Sequence, residues 1–188
     1  MNRALGWTAV LLLGAATIWT TERSEPTREG PVQRLLGPVA SLAAKIQWIR
    51  FDRARANGRP SLAITLAEVA LDLDPGDTRG WNVLASYLAL DLASTSREPS
   101  STSRLYWMEA GLGVARRGEE IARNPGDLAF LRGVILVSHA ENDPELPRPG
   151  GVKGMWEDAS SAFLRAAELG YPNAEGAVIF ALEKAAEH

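Results

Sequence analysis

A turn sequence that recurs along the chain is the feature that most limits the folds open to it. Residues 73–85 read LDPGDTRGWNVLA, residues 123–135 read RNPGDLAFLRGVI, and residues 170–182 read GYPNAEGAVIFAL. In each copy one apolar residue stands six positions after the proline and another stands nine positions after it. Internal similarity of this kind indicates a repeat protein, in which neighbouring units stack and bury a common core.

Helix-start signals accompany the turns. Pro60 suits the first position of a helix, and Ser103 can cap a later one. The residues that can cap the helices after the turns are Asp77, Asp127 and Asn173. The pattern predicts an all-α fold without a sheet, with helices at 32–56, 60–73, 78–92, 104–122, 128–140, 155–170 and 174–186. Residues 130–137, FLRGVILV, also suit a strand, because valine and isoleucine favour strands.

Residues 44–182 resemble the tetratricopeptide repeat family, whose unit is a pair of antiparallel helices that repeats about every 34 residues. The strongest match lies within residues 44–77, at Gly58, Ala63, Ala67, Ala70, Leu73 and Pro75. The resemblance implies about three helical hairpins and a capping helix, with small residues where helices pack closely. It also implies a groove along the first helices of the units, where family members hold peptides. Asn82 and Ser86 are candidates for that groove.

The repeat interpretation also predicts which side chains are buried. We expect the core to include Ala63, Ala70, Leu84, Val134, Trp156, Phe163 and Leu169. In the last helix, Val178, Ile179 and Leu182 form an apolar stripe, and charged residues form another. This division is typical of the terminal cap of a repeat array.

The spacing of the turns exceeds the family period. Pro75 and Pro125 are 50 residues apart, and Pro125 and Pro172 are 47 residues apart. Most of the surplus falls between the two helices of a unit, at residues 93–103 and 141–154. We expect both insertions to emerge on one side of the array.

The second insertion offers a candidate binding loop. Gly150 and Gly151 can leave backbone amides exposed beside Lys153 at a helix start, where an anion can bind. No phosphate-loop motif is present, so an ordinary ordered loop is the competing interpretation. A Pro-rich loop that ends in Gly-Gly also resembles the loops of repeat proteins that serve some solute transporters. The alternative function is therefore a small-molecule-binding, transport-associated accessory protein that uses residues 141–154.

The chain carries few residues suited to catalysis. It has no cysteine, which excludes thiolate metal sites and cysteine nucleophiles. His139 precedes Glu141, Asp143 and Glu145, but one histidine among carboxylates is more typical of a polar helix end than of a metal site. We therefore expect no enzyme activity, no cofactor and no metal. The net charge of -3 also argues against nucleic acid as a partner.

The first 21 residues read as a membrane anchor. Arg3 precedes 17 uncharged residues, 4–20, which as a helix are roughly 26 Å long, at the short end of what spans a bilayer. Trp7 and Trp19 stand near the two ends of this run, where an aromatic belt would place them. The sequence therefore predicts a transmembrane helix within residues 1–21, with the N-terminus inside.

The competing interpretation of the N-terminus is a signal peptide that is cut after Ala16, which would release a secreted protein. In both cases the body lies outside the cytoplasm, in the periplasm of a bacterial cell. Residues 22–31 are charged and Pro-containing and read as a linker, and residues 32–188 form the repeat domain.

The first helix of the body is strongly basic. Lys45, Arg50, Arg53 and Arg55, with Arg59 just after it, give it a net positive charge despite Asp52. They could face anionic headgroups or an acidic partner, or they could pair with Glu68, Asp72 and Asp74 on the next helix. Together these features favour a membrane-tethered scaffold or complex-assembly subunit whose partner is a protein or peptide in or near the membrane.

Overall fold

The computed structural model describes residues 37–188, and over this range the chain forms seven α-helices and no strand. They are α1 (Pro38–Ala56), α2 (Pro60–Leu73), α3 (Thr78–Ser86), α4 (Ser101–Ile121), α5 (Pro125–Asn142), α6 (Gly151–Glu168) and α7 (Ala174–Glu187). A π-helical segment, Tyr87–Leu92, continues α3. The predicted all-α fold is confirmed, and residues 130–137 lie inside a helix.

The helices pack as a linear row of hairpins. The pairs α1–α2, α3–α4 and α5–α6 are the hairpins, and α7 packs on α6. The first helices of the second and third hairpins, α3 and α5, also contact each other. Within the described residues, α1 and α7 therefore occupy the two ends of the row.

The first turn is tied to the helix that follows it. The side chain of Asp77 caps α3 as predicted, because its carboxylate accepts a hydrogen bond from the backbone N–H of Arg79 at 3.1 Å. The indole Nε1 of Trp81 donates to the carbonyl of Pro75 at 2.8 Å. The residue six positions after the proline thus fixes the turn against the helix.

Three predicted helix starts are too late in the chain. Ser103 does not cap α4; its N–H donates to the side chain of Ser100, which is the cap. Helix α5 begins at Pro125, so Asp127 lies in its first turn. Helix α6 begins at Gly151. Proline lacks the N–H that a first helical position leaves unused, so Pro125 starts the helix that it was expected to precede.

Most of the predicted core is buried. The confirmed residues are Ala63, Ala70, Leu84, Trp156 and Phe163. Val134, however, is 37% exposed, and Leu169 at the end of α6 is only partly buried, so these two predictions are wrong. Val134 lies on the side of α5 that lines an open depression together with Asn82 and Tyr171.

The last helix packs differently from the prediction. Its buried residues are Ala174, Ala181 and Ala185, whereas Ile179 is 59% exposed and Leu182 is 52% exposed. The predicted stripe is therefore divided, because Val178 packs against the core whereas Ile179 and Leu182 face solvent. Alanine lets α7 lie close to α6.

No helix within residues 37–188 combines the length and the apolar character needed to cross a membrane. The predicted anchor, residues 1–21, and the linker, residues 22–31, both lie outside the described range.

Replacing Phe163 by alanine should lower the free energy of unfolding by about 3–5 kcal/mol, because its ring is 97% removed from solvent and fills the space above Gly133. The neighbouring substitution Leu164→Ala is the control, since Leu164 is 53% exposed and should change stability little. Urea denaturation of both variants measures the difference. Similar losses for the two variants would contradict the described packing.

Two glycines of α4 should respond to alanine with opposite signs. A Cβ on Gly111 would lie 2.6 Å from the carbonyl oxygen of Ala85 and 2.6 Å from the Cβ of Ala89. Gly111→Ala should therefore destabilise the protein by about 1–3 kcal/mol through overpacking. Gly113 faces open space, so Gly113→Ala should stabilise it by up to about 1 kcal/mol through helix propensity. Thermal unfolding of both variants tests this, and a shift of the same sign would contradict it.

Candidate functional site

The first helices of the hairpins line an open groove on one side of the array. An open depression of about 440 Å³ is lined by Arg55, Asn82, Val83, Ser86, Tyr87, Leu90 and Asp91. Two further depressions of about 260 Å³ each extend it toward α5, where Asp127 contributes to both and Val134 to one. Asn82 lines all three depressions. We call this continuous surface the groove, and Asn82 lies at its centre.

The two groove residues predicted from the repeat pattern lie next to each other. The hydroxyl of Ser86 donates to the side-chain oxygen of Asn82 at 3.3 Å, which orients the amide group. Both side chains are partly buried on α3. Within the described chain, the amide nitrogen of Asn82 makes no hydrogen bond, so it can donate to a bound segment.

One end of the groove carries a fixed charge network. Asp91 accepts ion pairs from Arg55 at 3.1 Å and from Arg97 at 3.0 Å. The guanidinium of Arg55 also lies over the ring of Tyr87, 5.6 Å from its centroid. Burial raises the pKa of Tyr87, and the nearby Asp91 carboxylate raises this pKa further. The phenol therefore stays neutral and can act as a hydrogen-bond donor.

The middle of the groove is apolar. Val83 on α3 is 39% exposed, and Val134 on α5 is 37% exposed. Phe130 stacks on Tyr171 with ring centroids 4.2 Å apart, and both rings line the depression beside α5. The groove thus offers apolar contacts flanked by an amide and by paired charges.

The predicted basic residues of α1 do not act as one group. Arg55 is in the groove and pairs with Asp91 rather than with an acidic residue of α2. Arg50 donates to the side-chain oxygen of Gln47 at 3.1 Å, and Arg53 is exposed. Asp74, one of the expected partners, pairs with Arg123. Arg50 and Arg53 therefore lie on an exposed part of α1, away from the groove.

The structure places Gly150, Gly151 and Lys153 at the start of α6, apart from the residues that line the groove. Gly150 has φ 80° and Gly151 has φ 58°, which are the left-handed angles that the sequence suggested. The N–H of Gly151 donates to the carbonyl of Arg148, and the N–H of Gly154 donates to the carbonyl of Gly150. Two amides of the candidate anion site are therefore already used within the turn.

The second insertion is held by internal contacts. Arg148 donates to Glu109 at 2.9 Å and to Asp158 at 2.7 Å, and Leu146 is buried. Arg104, just after the first insertion, donates two hydrogen bonds to Asp143, at 2.6 and 3.0 Å. The second insertion is therefore tied to the start of α4 by a buried ion pair, and the loop braces the array. Neither contact has a local sequence signal, because each joins residues 39 positions apart.

His139 has a structural partner. Its Nε2 donates to the carbonyl oxygen of Ala89 at 2.7 Å. That carbonyl belongs to the π-helical segment, where the N–H of Ala93 donates to Leu88 and the N–H of Ser94 donates to Asp91. The carbonyl of Ala89 is therefore left for the histidine, which joins α5 to the π-helical segment. Burial lowers the pKa of His139.

No model of a protein family, no curated protein and no solved structure matches this chain. The function of the groove is therefore inferred from the geometry of the groove and from the residues that line it.

As the pH is lowered from about 7.5 to about 5.5, the free energy of unfolding of the protein should fall. The reason is that the unfolded chain binds a proton at residue 139 more readily than the folded chain does. His139→Gln keeps an N–H donor for Ala89 and should reduce this loss. His188→Gln is the control, because the other histidine is exposed at the chain end. Urea denaturation across this pH range measures the effect. An unchanged pH dependence in His139→Gln would contradict it.

Proposed function

We propose that this chain is a membrane-tethered scaffold that binds a protein or peptide segment in its groove. The observation that carries this proposal is the line of three joined open depressions that share Asn82. Small-molecule sites are usually concave pockets that bury most of the ligand. An open and extended groove instead fits an extended chain, which can bridge several shallow contacts.

The chemistry of the groove suits a segment with both apolar and polar residues. Val83 and Val134 offer exposed apolar surface on neighbouring helices, and the free N–H group of Asn82 between them can donate to a backbone carbonyl. Arg55 and Asp91 present both signs of charge at one end. We infer that the bound segment places apolar side chains on the valines and a charged or strongly polar group near Arg55.

The tether adds to the affinity of such a groove. A linker of about 10 residues has a random-coil reach of only roughly 20 Å, so the anchor would hold the body close to the bilayer. Partners in the same membrane then have a raised effective concentration, and a weak groove suffices. The proposed location is the extracytoplasmic face of the membrane. Support for this part comes from the apolar run and the linker in the sequence.

The contacts of the second insertion favour the scaffold over the small-molecule accessory. Arg148, Leu146 and Asp143 make internal contacts that hold the loop against α4 and α6. A loop that braces its own array leaves fewer polar groups for a ligand than the exposed groove does.

The groove is tested by capture experiments with the full chain from detergent-solubilised membranes. The double variant Val83→Glu, Val134→Glu adds two carboxylates to the apolar middle of the groove. This variant should no longer capture the partners that the wild-type chain captures. Leu164→Glu is the control, because Leu164 is 53% exposed on α6, outside the groove, and should retain them. Circular dichroism checks that all three chains are folded.

Two outcomes would count against the proposal. Equal capture by the wild-type chain and the groove variant would show that partners bind elsewhere. A capture without specific partners, together with thermal stabilisation by a metabolite that persists in the groove variant, would support the small-molecule alternative.

A further inference from the structure

Helix α1 is apolar on two opposite sides. Its buried side consists of Ala40, Ala44, Phe51 and Ala54, which pack on the array. Its opposite side carries Val39, Leu42, Ile46 and Ile49, which are 63%, 60%, 50% and 55% exposed. The exposed four are spaced by three, four and three residues and so form one continuous stripe, the α1 stripe.

An exposed stripe of this kind is unusual on a helix that already packs through its other side. Surface helices normally direct polar residues toward water, and a three-four spacing of aliphatic residues is the pattern of a helix–helix seam. The α1 stripe therefore has the form of a contact surface for another helix.

Basic residues surround the α1 stripe. At about 100° per residue, Lys45 and Arg50 fall on its two sides, and Arg53 continues it one turn beyond Ile49. The whole helix has four basic residues and one acidic residue, Asp52. Since Arg55 is paired with Asp91, the charge beside the stripe comes from the other three. A surface that covers this stripe should therefore carry carboxylates.

The helix at the other end of the row has the matching properties. On α7, Ile179 is 59% exposed and Leu182 is 52% exposed. Three glutamates, Glu175, Glu183 and Glu187, accompany one lysine, Lys184, on this helix. All three glutamates are exposed. Together Ile179, Leu182, Glu175 and Glu183 form the α7 face, which is both apolar and acidic.

We propose that the α1 stripe of one copy of this chain packs against the α7 face of a second copy. The two surfaces pair apolar residues with apolar residues and arginine or lysine with glutamate. They also lie at opposite ends of the row, where among residues 37–188 each terminal helix lacks the neighbour that an inner helix has. Head-to-tail stacking therefore supplies the missing neighbour at both ends.

Other contacts account less well for the α1 stripe and the α7 face. Two α1 stripes in contact would bring Lys45, Arg50 and Arg53 of both copies together, and two α7 faces would bring their glutamates together. Both arrangements are repelled by like charges. An anionic bilayer could accept the α1 stripe, but it would repel the α7 face and leave it uncovered. One head-to-tail contact covers both surfaces at once.

A contact of this kind is heterologous, because it uses two different surfaces of the same chain. If the rotation between copies does not close a ring, further copies add to both ends. The groove is made by α1, α3 and α5 and is separate from the α7 face, so this proposal does not depend on what the groove binds.

Cysteine cross-linking tests the contact, and the chain contains no native cysteine. One full-length chain carries I46C or I49C on α1, and a second, differently tagged chain carries I179C or L182C on α7. Disulfides require Cα atoms within about 7 Å, so only surfaces in contact will join. After co-expression and mild oxidation of the membranes, at least one mixed combination should give a dimer that contains both tags. Each single variant alone should stay monomeric.

The control is Tyr106→Cys on α4, which is 66% exposed but lies on neither surface. Its mixtures should show only background cross-linking. Three results would overturn the proposal: dimers of I46C or I49C with themselves, no mixed dimer in any combination, or an equal yield with Tyr106→Cys.

A labelling experiment distinguishes a second copy of the chain from the membrane as the surface that covers the α1 stripe. A water-soluble maleimide should label I46C slowly when the α7 face is intact. Adding Ile179→Glu and Leu182→Glu to the same chain should restore fast labelling, because the α7 face is then disrupted. Slow labelling that persists in this variant would place the stripe against the bilayer and overturn the proposal. Labelling of Tyr106→Cys should be fast in both backgrounds.

Discussion

The close approach of helices through small residues is the constraint on which the rest of the structure depends. Gly111 lies against the backbone of Ala85, and Gly133 leaves the space that the ring of Phe163 fills. At each of these contacts a glycine on one helix has no side chain, so the neighbouring helix can approach closely. Between the second and third hairpins, Gly118 of α4 lies against Leu128 of α5 in the same way. This contact holds the two hairpins together, so α3 and α5 lie side by side and their outer residues form one groove.

The parts of the fold that sequence could predict are those with local causes. Asp77 caps its helix from one position away, and the alanines of α2 mark a packed face by their spacing alone. The helix starts at Ser101 and Gly151 were placed too late, since serine and glycine are typical of loops as well as of first turns. Burial was less predictable. Val134 has the pattern of a core residue, and only the relative placement of neighbouring helices shows that it lines an open depression and stays 37% exposed.

The residues of the candidate site also divide into those that the sequence could predict and those that it could not. Asn82 and Ser86 were predicted because their position in a repeat places them on the first helix of a unit. The basic character of Arg55 was also visible, but its pairing with Asp91 was not, because the π-helical segment turns Asp91 toward α1. The ion pair between Arg104 and Asp143 joins the start of α4 to the second insertion, and no periodicity relates a helix residue to one on a distant loop. Contacts of this kind depend on the assembled array.

Helix α1 shows why an amphipathic pattern alone does not define a surface. Its apolar residues occupy two opposite sides, so the sequence does not reveal which side faces the array. The structure buries the side with alanine and Phe51, which fits the close spacing of the hairpins, and it exposes the side with Val39, Leu42, Ile46 and Ile49. At α7 alanine likewise faces inward, together with Val178, and Ile179 and Leu182 face outward. On both terminal helices mainly small residues thus face the array, and within the described residues the bulkier aliphatic side chains on their outer sides are exposed.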